Sequence, residues 1–183
     1  MPKVSQEHLE ARREQILDGA RRAFAEHGYE GATVARLEAA TGLSRGAIFH
    51  YFGSKQDLFV ELAWDTNHRL GDILLERGLG DAVRAIAAES PEWLGVLIEA
   101  QTKLRHDPEF TRKMEIREAE SSRLLGWFEE RQADGALRGD IPSAELGRYA
   151  TAVINGLALR VVANDPFDIE AFVRLLDDAL APR

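Results

Sequence analysis

Residues 33–53 read TVARLEAATGLSRGAIFHYFG, and the signals in that stretch decide the architecture. Thr33 and Ser44 carry side-chain oxygens of the kind that accept backbone N–H groups where a helix begins. Gly42 and Gly53 can take the positive φ at which helices end and chains turn. The spacing predicts a short helix opened by Thr33 and running to Thr41, a tight turn at Gly42-Leu43, and a second short helix from Ser44 to about Tyr51. Such a pair suits a helix-turn-helix. Val34, Leu37, Leu43 and Ile48 can share a small core, which leaves Ser44, Arg45, Ala47, His50 and Tyr51 on an outer face. Gly46 and Ala47 are small enough for close approach to a base edge, and Arg45 can donate two hydrogen bonds to guanine O6 and N7. Ser44, Tyr51 and Lys55 are suited to phosphates, as are backbone N–H groups at the starts of the two short helices. On spacing alone a purely structural helical hairpin is an equal alternative.

Working outward, every periodic segment reads as helix. Between Glu7 and His27, the residues Ile16, Leu17, Ala20, Ala23, Phe24 and His27 recur at 3.6-residue spacing, and Gly28 is placed to stop the helix. Ser54 caps a long fourth helix with Leu58, Phe59, Leu62, Ala63, Leu70, Ile73 and Leu74 on one face. Ser90-Pro91, Asp107-Pro108 and Asp165-Pro166 each set a capping side chain before a proline at the first helical position, and Ser143 is expected to cap after Pro142. Helices follow at about 80–89, 91–105, 108–133, 143–163 and 166–180. The expectation is an all-α protein of about nine helices without strands.

The 183 residues contain no cysteine, which excludes disulfide scaffolds, cysteine metal centres and thiol nucleophiles. The most apolar run, 150–163, includes Asn155 and Arg160, so no membrane span is expected. The start, Met1 to His8, shows no apolar leader segment, and the protein is expected in the cytoplasm. No HExxH, GxSxG or phosphate-cradling glycine loop is present, and no metal or catalytic residue is expected. The net charge of −8 argues against nucleic acid when taken whole. It is unevenly spread, however. Residues 1–55 hold 8 Lys+Arg and 7 Asp+Glu, so all of the acidity lies beyond them.

The run from Phe24 to Val34 (FAEHGYEGATV), with that from Thr41 to Phe59 (TGLSRGAIFHYFGSKQDLF), resembles the DNA-binding region of TetR-type repressors. Within that family residues 1–60 are most similar to the actinobacterial aconitase-repressor branch. The resemblance implies a homodimer with a three-helix helix-turn-helix DNA-binding domain over 1–53 and a helical effector-binding and dimerisation domain over 54–183. It further implies repression at a palindromic operator, relieved by a small-molecule effector. The matched DNA contacts are Thr33, Ser44, Arg45, Gly46, Ala47, Phe49, His50, Tyr51 and Lys55. A ligand-sensing helical dimer that acts through a protein partner is the alternative. One departure is visible: Glu38 stands where helix-turn-helix proteins usually carry alanine. Its carboxylate either stays in solvent or accepts N–H groups at the start of the next helix, where negative charge is favourable.

For the larger domain, the stripes Leu146, Tyr149, Ala150, Val153, Leu157, Val161 and Ile169, Phe172, Val173, Leu176, Leu180 predict a dimer interface made by the last two helices. Trp64, Trp93 and Trp127, with Phe110, Met114 and Phe128, are candidates to line an effector cavity, and Asn67, His68, Gln101 and Asn155 to read the ligand's polar groups. Arg69, Arg105, Arg117 and Arg123 are candidates to neutralise a carboxylate. The aconitase-repressor resemblance implies a tricarboxylate such as citrate, held with a divalent metal. Against that stands the stretch Gly126-Trp127-Phe128, aromatic where an anion site wants arginine, so a larger apolar ligand is an equal expectation.

Overall fold

The structure is a computed structural model that describes residues 6–118 and 122–183. Among the described residues it is all-helical: α1 Gln6–Gly31, α2 Val34–Thr41, α3 Arg45–Phe52, α4 Lys55–Arg77, α5 Leu79–Ala87, α6 Pro91–Leu104, α7 Pro108–Glu118, α8 Ser122–Ala133, α9 Ser143–Val162 and α10 Ile169–Leu180. The segment anticipated as one helix over 108–133 is helical on either side of 119–121, which lie outside the described residues, and its two parts are labelled α7 and α8.

The caps read from the sequence largely form. Thr33 Oγ1 accepts the Arg36 N–H, Ser44 Oγ the Ala47 N–H and Ser54 Oγ the Asp57 N–H. Ser90 and Asp107 cap α6 and α7 in the same way. Gly42 adopts φ 70, ψ 19, the left-handed conformation that its turn requires. Three ends differ from expectation. Gly28 breaks the helical path of α1 at φ 72, ψ 173, yet the chain resumes one more turn to Gly31. Ser143 is the first residue of α9 and does not cap it; Pro142 occupies the cap position. The last helix starts at Ile169 because Asp168, rather than Asp165, accepts the N–H groups of Glu170 and Ala171, both at 3.0 Å. Asp165 instead binds Arg160 at 2.5 Å, after Asn164 has turned the chain at φ 51.

The described chain forms two compact units: residues up to Asp65 with Gly95–Thr111, and Thr66–Leu94 with Arg112–Arg183. In the first, Ile16, Ala20, Ala23, Phe24, Leu37, Ile48, Leu58 and Phe59 are buried. Phe24, Tyr29 and Phe59 form an aromatic cluster with ring centroids 5.0–5.9 Å apart. The α1–α2 junction is clamped. Gln15 Nε2 donates to Thr41 O at 2.9 Å and Arg22 to Ala40 O at 3.0 Å, which satisfies carbonyls at the end of α2. Between those two positions on the same face of α1 lies Gly19, where a Cβ would come within 2.7 Å of Thr41 Cα. The helices touch here because nothing projects.

In the second unit the core joins Leu74, Leu79, Val83, Ile86, Phe128, Leu146, Ala150, Leu157, Val173, Leu176 and Leu180. This corrects the expected dimer stripes. Leu146, Ala150, Leu157, Val173, Leu176 and Leu180 are spent inside their own subunit. What α9 leaves outside is Tyr149 of the expected stripe in line with Ala152, Gly156 and Leu159 at intervals of three and four, with Val162 beside it and Leu175 exposed on α10. Trp93 is fully buried and donates its indole N–H to Thr66 Oγ1 at 3.0 Å.

Candidate nucleic-acid interface

With Leu37 and Ile48 fully buried under α2 and α3, the outer face of α3 is set by elimination. Ser44, Arg45, Gly46 and His50 are exposed, Ala47, Phe49 and Tyr51 half-buried, and Thr33 is exposed at the start of α2. All eight predicted positions on these two helices therefore share one head. Among the described residues the Arg45 guanidinium has no hydrogen-bond or ion-pair partner. An added Cβ at Gly46 would meet nothing within 4 Å, so its small size serves no contact inside the subunit. The His50 and Tyr51 rings meet edge-on, centroids 5.7 Å apart.

Two features of the head bear on charge. Glu38 reaches across the turn, and its Oε1 accepts the backbone N–H of Arg45 at 2.6 Å. Of the two readings open from the sequence, the structure has the capping one. Lys55 is more engaged than its spacing suggested. Its Nζ donates to Tyr29 O at 2.8 Å and Glu30 O at 3.4 Å, and lies 4.6 Å from the centroid of the Tyr29 ring. Burial pulls its pKa below the ordinary lysine value, against a smaller upward pull from Glu30. One of its three protons remains for an external acceptor. Arg36 likewise donates to Gly31 O at 2.8 Å. Sequence reasoning missed the clamp by Gln15, Arg22 and Arg36, although Gln15, Gly19 and Arg22 at i, i+4 and i+7 were a readable stripe.

Residues 16–62 match the pattern of "Bacterial regulatory proteins, tetR family". Along almost its whole length the chain is similar to HTH-type transcriptional repressor Rv1474c of Mycobacterium tuberculosis, 41% identical over 184 residues, 98% of each chain. The chain belongs to the TetR family. A second relative, HTH-type transcriptional repressor AcnR of Corynebacterium diphtheriae, is 39% identical and covers 98% of this chain and 97% of its own. Among solved structures, Salmonella enterica GusR matches with a TM-score of 0.75 at 19% identity, covering 97% of this chain and 98% of that one. FadR from Bacillus subtilis, solved with stearoyl-CoA, matches at 0.65 and 18% identity over 92% and 97%. At that identity the likeness is one of fold. As a TetR-family transcriptional regulator the chain is not an enzyme.

The predicted effector residues of this TetR-family chain are divided between the two units. Trp64, Gln101 and Phe110 belong to the first unit, and Asn67, His68, Trp93, Met114, Trp127 and Asn155 to the second. Asn67, His68, Gln101 and Asn155 are exposed, because each lies off the apolar stripe of its helix. Trp127 is half-buried against the core, its ring 5.1 Å from that of Phe128. Arg69 pairs with Glu89, Arg123 with Asp72 at 3.3 Å, and Arg105 meets His106 at 2.9 Å. The Arg117 side chain lies outside the described residues. A cleft of about 620 Å³ opens in the second unit among Ala87, Pro91, Val161, Pro166, Phe167 and Ile169. It includes none of the predicted effector residues. Its rim charges are already matched, Arg84 by Asp81 and Glu170, and Arg160 by Asp165. No cluster of three His, Asp or Glu side chains suited to a metal ion occurs among the described residues. No described helix is long and apolar enough to cross a membrane.

Proposed function

We propose that this protein is a homodimeric repressor that reads a palindromic operator through α3 and releases it when a small molecule binds. The unpartnered, exposed Arg45 guanidinium at the head of α3, flanked by Gly46 and Ala47, carries the reading. Arg45 addresses guanine in the major groove, while Thr33, Ser44, Tyr51 and the third proton of Lys55 hold the backbone. DNA reading is assigned to residues 1–53, with effector binding and dimerisation in 54–183. A single short helix reads few base pairs, so a two-fold pair of heads on half-sites about one helical turn apart supplies the rest. The face that pairs is Tyr149, Ala152, Gly156 and Leu159 of α9 with Leu175 of α10. Leu159 is 54% and Leu175 69% exposed in the single subunit. An added Cβ at Gly156 would meet nothing there, which leaves room for a second helix to approach. The protein acts on the chromosome and hence in the cytoplasm.

The effector binds in the second unit, where Met114 and Trp127 are the half-buried apolar candidates. The resemblance to the aconitase-repressor branch, with relatives named AcnR, supports a tricarboxylate such as citrate, and the stearoyl-CoA held by the structural neighbour FadR marks the apolar alternative. Calorimetric titration with citrate and magnesium, and separately with acyl-CoA thioesters, distinguishes the two. Selection of sites from random DNA tests the whole reading. It should return a palindrome, and Arg45→Ala should cost about 1–3 kcal/mol while relaxing preference at one base pair per half-site. Equal weakening on every sequence would refute the role given to Arg45.

A further inference from the structure

Glu38 is the part of the head that the proposed function leaves unused. It lies on α2, four residues before the turn glycine, with its Oε1 2.6 Å from the Arg45 nitrogen. Among the described residues its carboxylate makes no ion pair. Peptide dipoles leave the start of a helix partly positive, and such an end attracts phosphate. Here it is already occupied. Of the first three N–H groups of α3, that of Arg45 goes to Glu38 and that of Ala47 to Ser44 Oγ, which leaves only that of Gly46.

We propose that Glu38 is a specificity-determining residue, an internal stand-in for a DNA phosphate that denies the start of α3 to the backbone of any sequence. The proposal rests on the DNA reading assigned above. In the cognate register Arg45 and Gly46 face base edges while Ser44 meets the backbone through its hydroxyl, so the carboxylate at the Arg45 N–H costs little. In non-cognate registers the same N–H groups would rest on the sugar-phosphate backbone, which holds a protein without reading sequence. Glu38 then removes an anchor and adds a repulsion. Discrimination is a difference between two affinities, and a residue that penalises the wrong complexes raises it as surely as a new contact to the right one.

Glu38→Gln keeps an oxygen where the Arg45 N–H needs one and removes the charge; Glu38→Ala removes both. Full-length protein is titrated by fluorescence anisotropy with a random-sequence duplex and with the duplex recovered by selection, each over a range of salt. Glu38→Gln should tighten random-duplex binding about threefold to tenfold at low salt, the size expected for one unit charge a few ångströms from phosphate in water. Its salt dependence should steepen, because the repulsion removed is largest at low salt and is screened as salt rises. Binding to the selected duplex should tighten less, so the ratio of the two affinities falls. Glu38→Ala should show the same tightening on random DNA and also melt earlier. If both variants bind random DNA as the parent does, with the same salt slope, Glu38 is a helix cap and the proposal is wrong. A parent that selects no sequence at all would instead overturn the DNA reading itself.

Discussion

Replacing Gly19 by alanine should destabilise the protein, although the same change in an ordinary helix stabilises it by about 1 kcal/mol. The added Cβ would stand 2.7 Å from Thr41 Cα, 2.7 Å from Thr41 Cγ2 and 2.8 Å from Ala40 O. Two of these atoms are backbone, and the end of α2 that carries them is tied to α1 by Gln15 and Arg22. Relief requires α2 to leave its seat rather than a side chain to rotate. Overpacking of this kind costs about 1–3 kcal/mol, at the upper end where backbone must move. Set against the propensity gain, the net loss is about 1–2 kcal/mol, or roughly 2–8 °C in Tm for a chain of this size. Gly126→Ala on α8 is the control. Nothing lies within 4 Å of its added Cβ, and it should gain up to about 1 kcal/mol. Thermal and urea unfolding followed by circular dichroism compare the two. DNA affinity of Gly19→Ala should fall as well, since Thr33, assigned to the DNA backbone, caps α2. A Gly19→Ala protein that melts at or above the parent temperature would refute the close-packing argument, because propensity alone predicts that result.

Lys55→Ala should lower Tm by loss of the charged hydrogen bonds to the end of α1, and flatten the salt slope of DNA binding by about 0.9. A lowered Tm with an unchanged slope would assign Lys55 a structural role alone. Leu159→Glu, a change at a site exposed in the single subunit, should leave helicity intact and yield monomers in sedimentation. A persistent dimer would place the interface elsewhere. Arg84 holds the Glu170 carboxyl below the usual carboxylate range through their hydrogen bonds. The folded pKa of Glu170 thus lies under its unfolded value, so the stabilisation is complete above about pH 4.3 and vanishes as pH falls through the folded value. The Tm difference between Arg84→Ala and parent should therefore be full at pH 7 and close in acid; a gap constant with pH would rule this link out.

Most of the DNA-reading head was legible because its signals are local. Thr33, Gly42, Ser44, Gly53 and Ser54 act within four residues of themselves, and the structure uses each where the sequence placed it. Glu38 was legible as an anomaly, its partner seven residues away. Lys55 shows where spacing stops, since the carbonyls of Tyr29 and Glu30 that receive it lie 26 and 25 residues back along the chain. Asp165-Pro166 and Asp168 were two valid starts for one helix, and Arg160, which captures Asp165, decided between them. Helix α9 is apolar on more than one face, so periodicity could not separate the side turned to its own core from the side left for a partner. The effector residues were chosen by type, and residue type does not say which side chains converge.

The exposed line Tyr149, Ala152, Gly156, Leu159 has a consequence for how the regulator responds to its own abundance. Where two subunits must meet before either head finds its half-site, operator occupancy at low copy number climbs with the square of protomer concentration, and subunit stability climbs with pairing. A cell holding few copies would sit on the flat foot of that curve, and a modest rise in synthesis would close the promoter abruptly. As the proposed pairing surface, the apolar face of α9 would set a threshold as well as a contact.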